Sequence, residues 1–122
     1  MTLLIIEDSP LIVDRIKKIV IEIKEIEIIG DTGTVKEAES LIQKEKPDII
    51  ILDIHLQNGS GLSIQYLIHS HKLNIKTVIL TNYFSPILEK KCFELGVKYF
   101  LDKSKDFSKL KETIINIIEK EN

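Results

Sequence analysis

The sequence predicts an α/β domain: a five-stranded parallel sheet of order 2-1-3-4-5 with five helices, doubly wound in three layers. Three observations carry this. Segments with strand character alternate five times with segments of helical periodicity. Residues 49–52 form an unbroken apolar run, as expected of a strand buried on both faces. Each strand is followed by a helix-length segment, and helical crossovers between strands of one sheet make the strands parallel. The 122 residues, 43 % of them hydrophobic, suffice for one domain with a true core and show no linker or internal repeat.

Each element has a local reason. Residues 2–6 (TLLII) form strand one, ending at Glu7-Asp8. Ser9-Pro10 supplies an N-cap and a proline at the first helical position. Ile12, Ile16, Ile19, Val20 and Ile23 then recur at helical spacing. Residues 26–30 are strand two. Thr34 and Glu37 form a capping box for a second helix to about residue 46, with Ala38, Leu41 and Ile42 facing inward. Residues 48–52 are strand three, and Ser60 caps a third helix carrying Leu62, Tyr66 and Leu67. Residues 77–80 are strand four. Ser85-Pro86 repeats the Ser-Pro start signal, and Gly96 supplies the residue after that helix. Residues 99–101 are strand five. Asp106 or Ser108 opens a last helix with Leu110, Ile114, Ile117 and Ile118 on one stripe.

Composition excludes several function classes. Seventeen basic and 19 acidic residues are dispersed along the chain for a net charge of −2, and Arg15 is the single arginine. Direct nucleic-acid binding, which needs a clustered basic patch, is not expected. Cys92 stands alone, cannot form an internal disulfide and lies in a helical pattern, so it reads as a packing residue in a reducing, cytoplasmic setting. No signal pattern and no 18-residue apolar segment suggests export or a membrane. His69 and His71, two apart on a helix, point to different sides and read as surface residues.

In a doubly wound sheet, function gathers at the carboxyl ends of the strands near the switch in strand order. Glu7 and Asp8 follow strand one, Asp53 strand three, Thr81 strand four and Lys103 strand five. Strands one and three are neighbours in the predicted order, so three carboxylates converge. They repel unless a cation is present, and Mg²⁺, which takes carboxylate, water and phosphate oxygens, meets that need. With the Lys103 ammonium and the Thr81 hydroxyl, the set suits a phosphoryl group held on one carboxylate. Asp53, alone at a strand end, is the candidate nucleophile, and Glu7-Asp8 the cation-holding pair. Singly, each residue has a plainer reading: acid at a helix N-terminus for Glu7-Asp8, a loop-starting Asx residue for Asp53, a strand-end hydroxyl for Thr81, a solvated lysine for Lys103. Their placement at one edge of one sheet argues for a site.

This ordered set, with Phe100 and the GSG at 59–61, resembles the receiver domain of bacterial response regulators, which has a flavodoxin-like sheet. The resemblance covers the whole chain and implies a single stand-alone receiver domain, residues 1–122. It implies phosphorylation of Asp53 from a histidine kinase or histidine phosphotransfer protein. Mg²⁺ would be held by Asp8, Asp53, the backbone carbonyl of His55 and, through water, Glu7. Lys103 would pair with a phosphoryl oxygen. Thr81 and Phe100 would act as a switch that alters the surface of residues 85–120, a change in population of two states. The last helix ends within about one residue of Asn122, so output is expected through another protein or through a homodimer formed on phosphorylation. Such a chain is a signalling switch rather than an enzyme.

Two positions depart from the commonest family pattern. Asn82 stands where a small residue is usual, and would narrow the site or add a hydrogen bond. Ser104 follows Lys103 where proline is common, often after a cis bond; for a non-proline residue a cis bond costs about 3 kcal/mol. His55 and Tyr83 stand two residues after Asp53 and Thr81. They are either rings that shield an acyl phosphate from water or exposed side chains without a kinetic role; His55 as a metal ligand through its ring is disfavoured, since no second histidine lies at ligand spacing. The competing functions are a Mg²⁺-dependent phosphatase with an aspartate nucleophile, a receiver used only as an interaction module, and a nucleotide or flavin module. The last lacks a glycine-rich phosphate loop after strand one.

Overall fold

The computed structural model describes residues 1–121. Five strands, β1 (Thr2–Ile6), β2 (Glu27–Thr32), β3 (Ile49–Leu52), β4 (Lys76–Thr81) and β5 (Tyr99–Asp102), alternate with five helices. These are α1 (Pro10–Val20), α2 (Val35–Glu45), α3 (Gly61–Ser70), α4 (Pro86–Glu94) and α5 (Leu110–Glu121). The strands form one parallel sheet of order β2-β1-β3-β4-β5, the order the sequence predicts.

Successive side chains of a strand point to opposite faces, so the all-apolar strands feed two cores at once. Leu3, Ile5, Ile49 and Ile51 pack on α1 and α5 through Ile16, Val20, Leu110, Ile114 and Ile117. Leu4, Ile6, Ile50 and Leu52 pack on α2, α3 and α4 through Ala38, Ile42, Ile64, Ile68 and Cys92. Leu3 to Ile6 and Ile49 to Leu52 are all at most 1 % exposed. Such strands hold their carboxyl ends rigidly, which the site depends on.

Ser9, Ser60 and Ser85 each cap the helix expected of them through their hydroxyls. At the end of α4, Gly96 (φ +90°) sits in the left-handed region, with Gly96 N–H on the Phe93 carbonyl and Val97 N–H on that of Cys92. This is a Schellman ending.

Some local expectations change. The Thr34–Glu37 box is half formed: the Thr34 hydroxyl accepts from the Glu37 amide at 3.2 Å, but the Thr34 amide turns to the Thr32 hydroxyl at 3.3 Å. The inward face of α3 is Ile64, Gln65 and Ile68, while Tyr66 is 64 % exposed. Gln65 is buried because it is bonded, accepting from the Thr77 hydroxyl at 2.6 Å and donating to the Leu95 carbonyl at 2.9 Å. Neither Asp106 nor Ser108 caps α5; a 3₁₀ turn, Phe107–Lys109, leads into it. The Asp106 carboxylate instead accepts from the Asp102 amide at 3.0 Å. β2 runs to Thr32 rather than 30, and His55–Leu56 pairs with Gly59–Ser60 in a two-residue antiparallel ladder that no periodicity announces. No helix among the described residues is long and apolar enough to cross a membrane.

Candidate functional site

Glu7, Asp53 and Lys103 are each pinned one step beyond a strand, and Thr81 is the last residue of β4. Asp53 N–H donates to the Ile6 carbonyl at 2.9 Å, Glu7 N–H to Thr32 at 2.9 Å, and Lys103 N–H to Thr81 at 3.0 Å. These bonds continue the ladders past β3, β1 and β5, so the side chains inherit the sheet's rigidity.

The result is a buried ionic cluster. Glu7 is 3 % and Asp53 5 % exposed. Lys103 Nζ contacts Glu7 Oε1 directly and Asp53 Oδ2 at 3.0 Å. The other Glu7 oxygen accepts from the Ser9 amide at 2.9 Å. Oxygens of Glu7, Asp8 and Asp53 all lie within 4.8 Å of one another, with Asp8 the most open of the three. The sequence-predicted acids and the lysine are therefore brought together.

The electrostatics are unbalanced. Burial pushes the Glu7 carboxyl up, the nearby Asp53 charge adds to that, and Lys103 and the Ser9 amide only partly offset them. Burial pulls the Lys103 ammonium down, but its contacts with Glu7 and Asp53 outweigh this and hold it above its ordinary value. Two buried carboxylates thus share one ammonium. Asp53 Oδ1 is buried with no hydrogen-bond partner among the described residues, and a buried carboxylate oxygen without a partner is costly. That orphaned atom, facing two other acids, fits a hard cation with oxygen ligands.

Two glycines shape the cluster, and sequence reasoning attached no such role to either. A Cβ on Gly33 would lie 2.9 Å from Asp8 Cα, and one on Gly61 only 2.2 Å from the Asp53 carbonyl oxygen. The first turn of α3 can lie against the acid-bearing turn because position 61 has no side chain. The GSG at 59–61 was a visible signal; Gly33 had none beyond its being a glycine.

Thr81 is fully buried, and its hydroxyl accepts from the Tyr83 amide at 3.1 Å. Phe100 is half-buried and lies edge-on to Phe84, ring centroids 5.2 Å apart, a partner that spacing did not suggest. His55 and Tyr83 touch at a centroid separation of 3.6 Å, both exposed, two residues beyond Asp53 and Thr81, and Asn82 is exposed as well. After Lys103 the backbone is trans throughout. The Asp102 carboxylate organises the turn, accepting from the Ser104 amide at 2.8 Å and the Ser104 hydroxyl at 2.6 Å. Those bonds, the hydroxyl's first, hold the Asp102 carboxyl below its ordinary value. Cys92 is 1 % exposed, and burial pushes its thiol up to about 11, in keeping with a packing role.

Comparison with known proteins agrees with this geometry. Residues 3–115 match the family model described as the response regulator receiver domain. A sensory transduction protein LytT of Bacillus anthracis is 31 % identical over 111 residues, 91 % of this chain and 44 % of that protein. A putative transcriptional regulator of Pseudomonas aeruginosa is 29 % identical over 107 residues, 88 % of this chain and 51 % of that protein. The chain thus spans about half the length of these curated relatives. Among solved structures, a LuxR-family DNA-binding response regulator from Staphylococcus aureus superposes with a TM-score of 0.87 at 28 % identity, covering 95 % of this chain and 97 % of that one. The signal receiver domain of a putative Luxo repressor protein from Vibrio parahaemolyticus gives 0.89 at 25 %, covering 98 % and 90 %. Sheet order, acidic cluster and sequence match lead to one conclusion: the chain belongs to the response regulator receiver domain family.

Proposed function

We propose that this domain is a phosphoacceptor switch in which Asp53 takes a phosphoryl group from a phosphohistidine of a histidine kinase or phosphotransfer protein. The observation that carries this is the Asp53 carboxylate itself. It is buried and rigid, with one oxygen on Lys103 and the other without a partner among the described residues, near Glu7 and Asp8. In the transfer, an Asp53 oxygen forms the bond to phosphorus as the bond from phosphorus to the donor imidazole nitrogen breaks. The electron pair leaves on that nitrogen. Mg²⁺ held by Asp8, Asp53 and the His55 carbonyl, with Glu7 through water, would neutralise charge on the phosphoryl oxygens. Lys103 would hold one of those oxygens, and the Thr81 hydroxyl, at the end of β4, would donate to another.

A phosphoryl group competes for the groups that now bond each other. Lys103 would divide its bonds between the acids and the new oxygens, and Thr81 would turn toward Asp53. Phe100, packed on the exposed ring of Phe84, would follow Thr81 and carry the change to the surface of α4, β5 and α5 that a partner protein, or a second copy, reads. His55 and Tyr83, in contact two residues beyond Asp53 and Thr81, would limit the approach of water to the acyl phosphate.

Incubation with acetyl phosphate and Mg²⁺ tests the reading. Stoichiometric, acid-stable and base-labile labelling, lost in Asp53→Asn, is expected. Steady release of phosphate from generic esters would identify a phosphatase instead. No label with Mg²⁺ present would leave an interaction module.

A further inference from the structure

The end of the sheet away from Asp53 holds a second concavity with different chemistry. The C-terminal ends of α3 and α4 and the first residues of β4 and β5 enclose a cavity of about 430 Å³. Lys72, Lys76, Lys98 and His69 line it, Lys76 being already engaged, and among the described residues no carboxylate does. Neither Lys72 nor Lys98 has an ion-pair partner among the described residues.

The cavity has a built polar floor. Gln65 and Thr77, 3 % and 4 % exposed, are fixed by the bond from the Thr77 hydroxyl to Gln65 Oε1 and by that from Gln65 Nε2 to the Leu95 carbonyl. A side-chain amide nitrogen carries two N–H groups, so one of Gln65 remains for a ligand.

The ending of α3 sets Lys72 at the cavity rim. Lys72 occupies the residue after the α3 cap with φ +52°, its N–H on the His69 carbonyl at 3.2 Å and the Leu73 N–H on that of Ile68 at 3.0 Å. This is the ending α4 makes with Gly96, and the two endings face the same cavity. Glycine takes that backbone without penalty; lysine does not. Lys46 takes the same conformation (φ +47°) at the end of α2, so the backbone here places Lys72 at the cavity rim without by itself marking a site. The C-terminal ends of α3 and α4 favour cations here, and Lys72 and Lys98, without an ion-pair carboxylate among the described residues, supply the positive charge that an anion needs.

We propose that this cavity binds a small multivalent oxyanion of the phosphate class, gripped by Lys72 and Lys98 with a hydrogen bond from Gln65. The test is a ¹⁵N–¹H NMR titration of the full chain with pyrophosphate, without Mg²⁺ and at ionic strength held constant with KCl. Saturable shifts confined to residues 65–77 and 95–99 are expected. Lys98→Ala and Lys72→Gly should each weaken binding about tenfold or more, as loss of a charge-assisted contact does. Lys72→Gly relaxes the backbone, so its loss of binding cannot be assigned to misfolding. Both variants should still be labelled on Asp53, separating this site from the acidic one. Shifts that do not saturate, that centre on Lys103, or that persist unchanged in both variants would overturn the proposal.

Discussion

Gly61→Ala isolates the claim that a missing side chain, rather than a flexible backbone, shapes the acidic site. A Cβ at position 61 would lie 2.2 Å from the Asp53 carbonyl oxygen, and 3.1 and 3.2 Å from Asp53 C and Ile54 Cα. All three are backbone atoms, so no side chain can swing away. Bringing the closest contact to about 3.4 Å requires α3 and the turn after β3 to part by roughly 1 Å, the difference from the present separation. Overpacking of this kind typically costs about 1–3 kcal/mol, or about 3–10 °C of melting temperature for a domain of this size. The same displacement moves the Asp53 turn relative to Lys103 and the Glu7-Asp8 pair, and a 1 Å misplacement of reacting groups can lower a rate about 100-fold. Thermal unfolding followed by circular dichroism gives the first quantity, and the initial rate of Asp53 labelling by acetyl phosphate with Mg²⁺ the second. Wild-type melting together with a wild-type labelling rate would refute the reasoning. A melting loss with a normal rate would show that the turn relaxes without moving the carboxylate.

Further predictions concern the charges and rings of the same region. Lys103→Ala leaves Glu7 and Asp53 without their shared cation, and breaking a buried pair typically costs about 3–5 kcal/mol; denaturant unfolding should show a loss of that order at neutral pH, reduced by millimolar Mg²⁺. Cys92, whose thiol is raised to about 11 by burial, should resist iodoacetamide at pH 8 in the folded protein and react fully in denaturant. Because its folded value lies above its unfolded one, the stability linked to it is fully present below about pH 9 and is lost as pH rises toward 11, which a Cys92→Ala comparison of unfolding against pH would detect. The His55→Ala, Tyr83→Ala double variant should lose Asp53 phosphoryl groups several-fold faster than wild type, measured by phosphate release after removal of the donor; an unchanged rate would assign those rings no kinetic role.

Much of the fold was legible because strands and helices announce themselves over different distances. Five alternations, three Ser caps and Gly96 are local signals, and the structure reproduces them within a few residues. Long-range hydrogen bonds are not local signals. Gln65 reads as a polar surface residue until Thr77 and the Leu95 carbonyl are seen beside it, and this moved the buried face of α3 away from Tyr66. Asp106 reads as a helix cap until Asp102 claims its carboxylate. At the site, the residue types at the strand ends were readable, but Gly33 and Gly61 were not: a glycine kept for space and one kept for a turn look alike in a sequence.

The sequence by itself determined that an acid would stand at the end of a strand buried on both faces, and that Glu7, Asp8, Asp53, Thr81 and Lys103 would share one edge of a parallel sheet. Period, run length and strand order suffice for that. Only the tertiary structure decided that Lys103 spans Glu7 and Asp53, that one Asp53 oxygen is left without a partner among the described residues, and that α3 closes against the Asp53 carbonyl through Gly61. Those facts are separations of a few ångströms between residues from 8 apart in the chain, Gly61 and Asp53, to 50 apart, Lys103 and Asp53, or more. They depend on how side chains pack across the layers, and no pattern along the chain encodes such a distance.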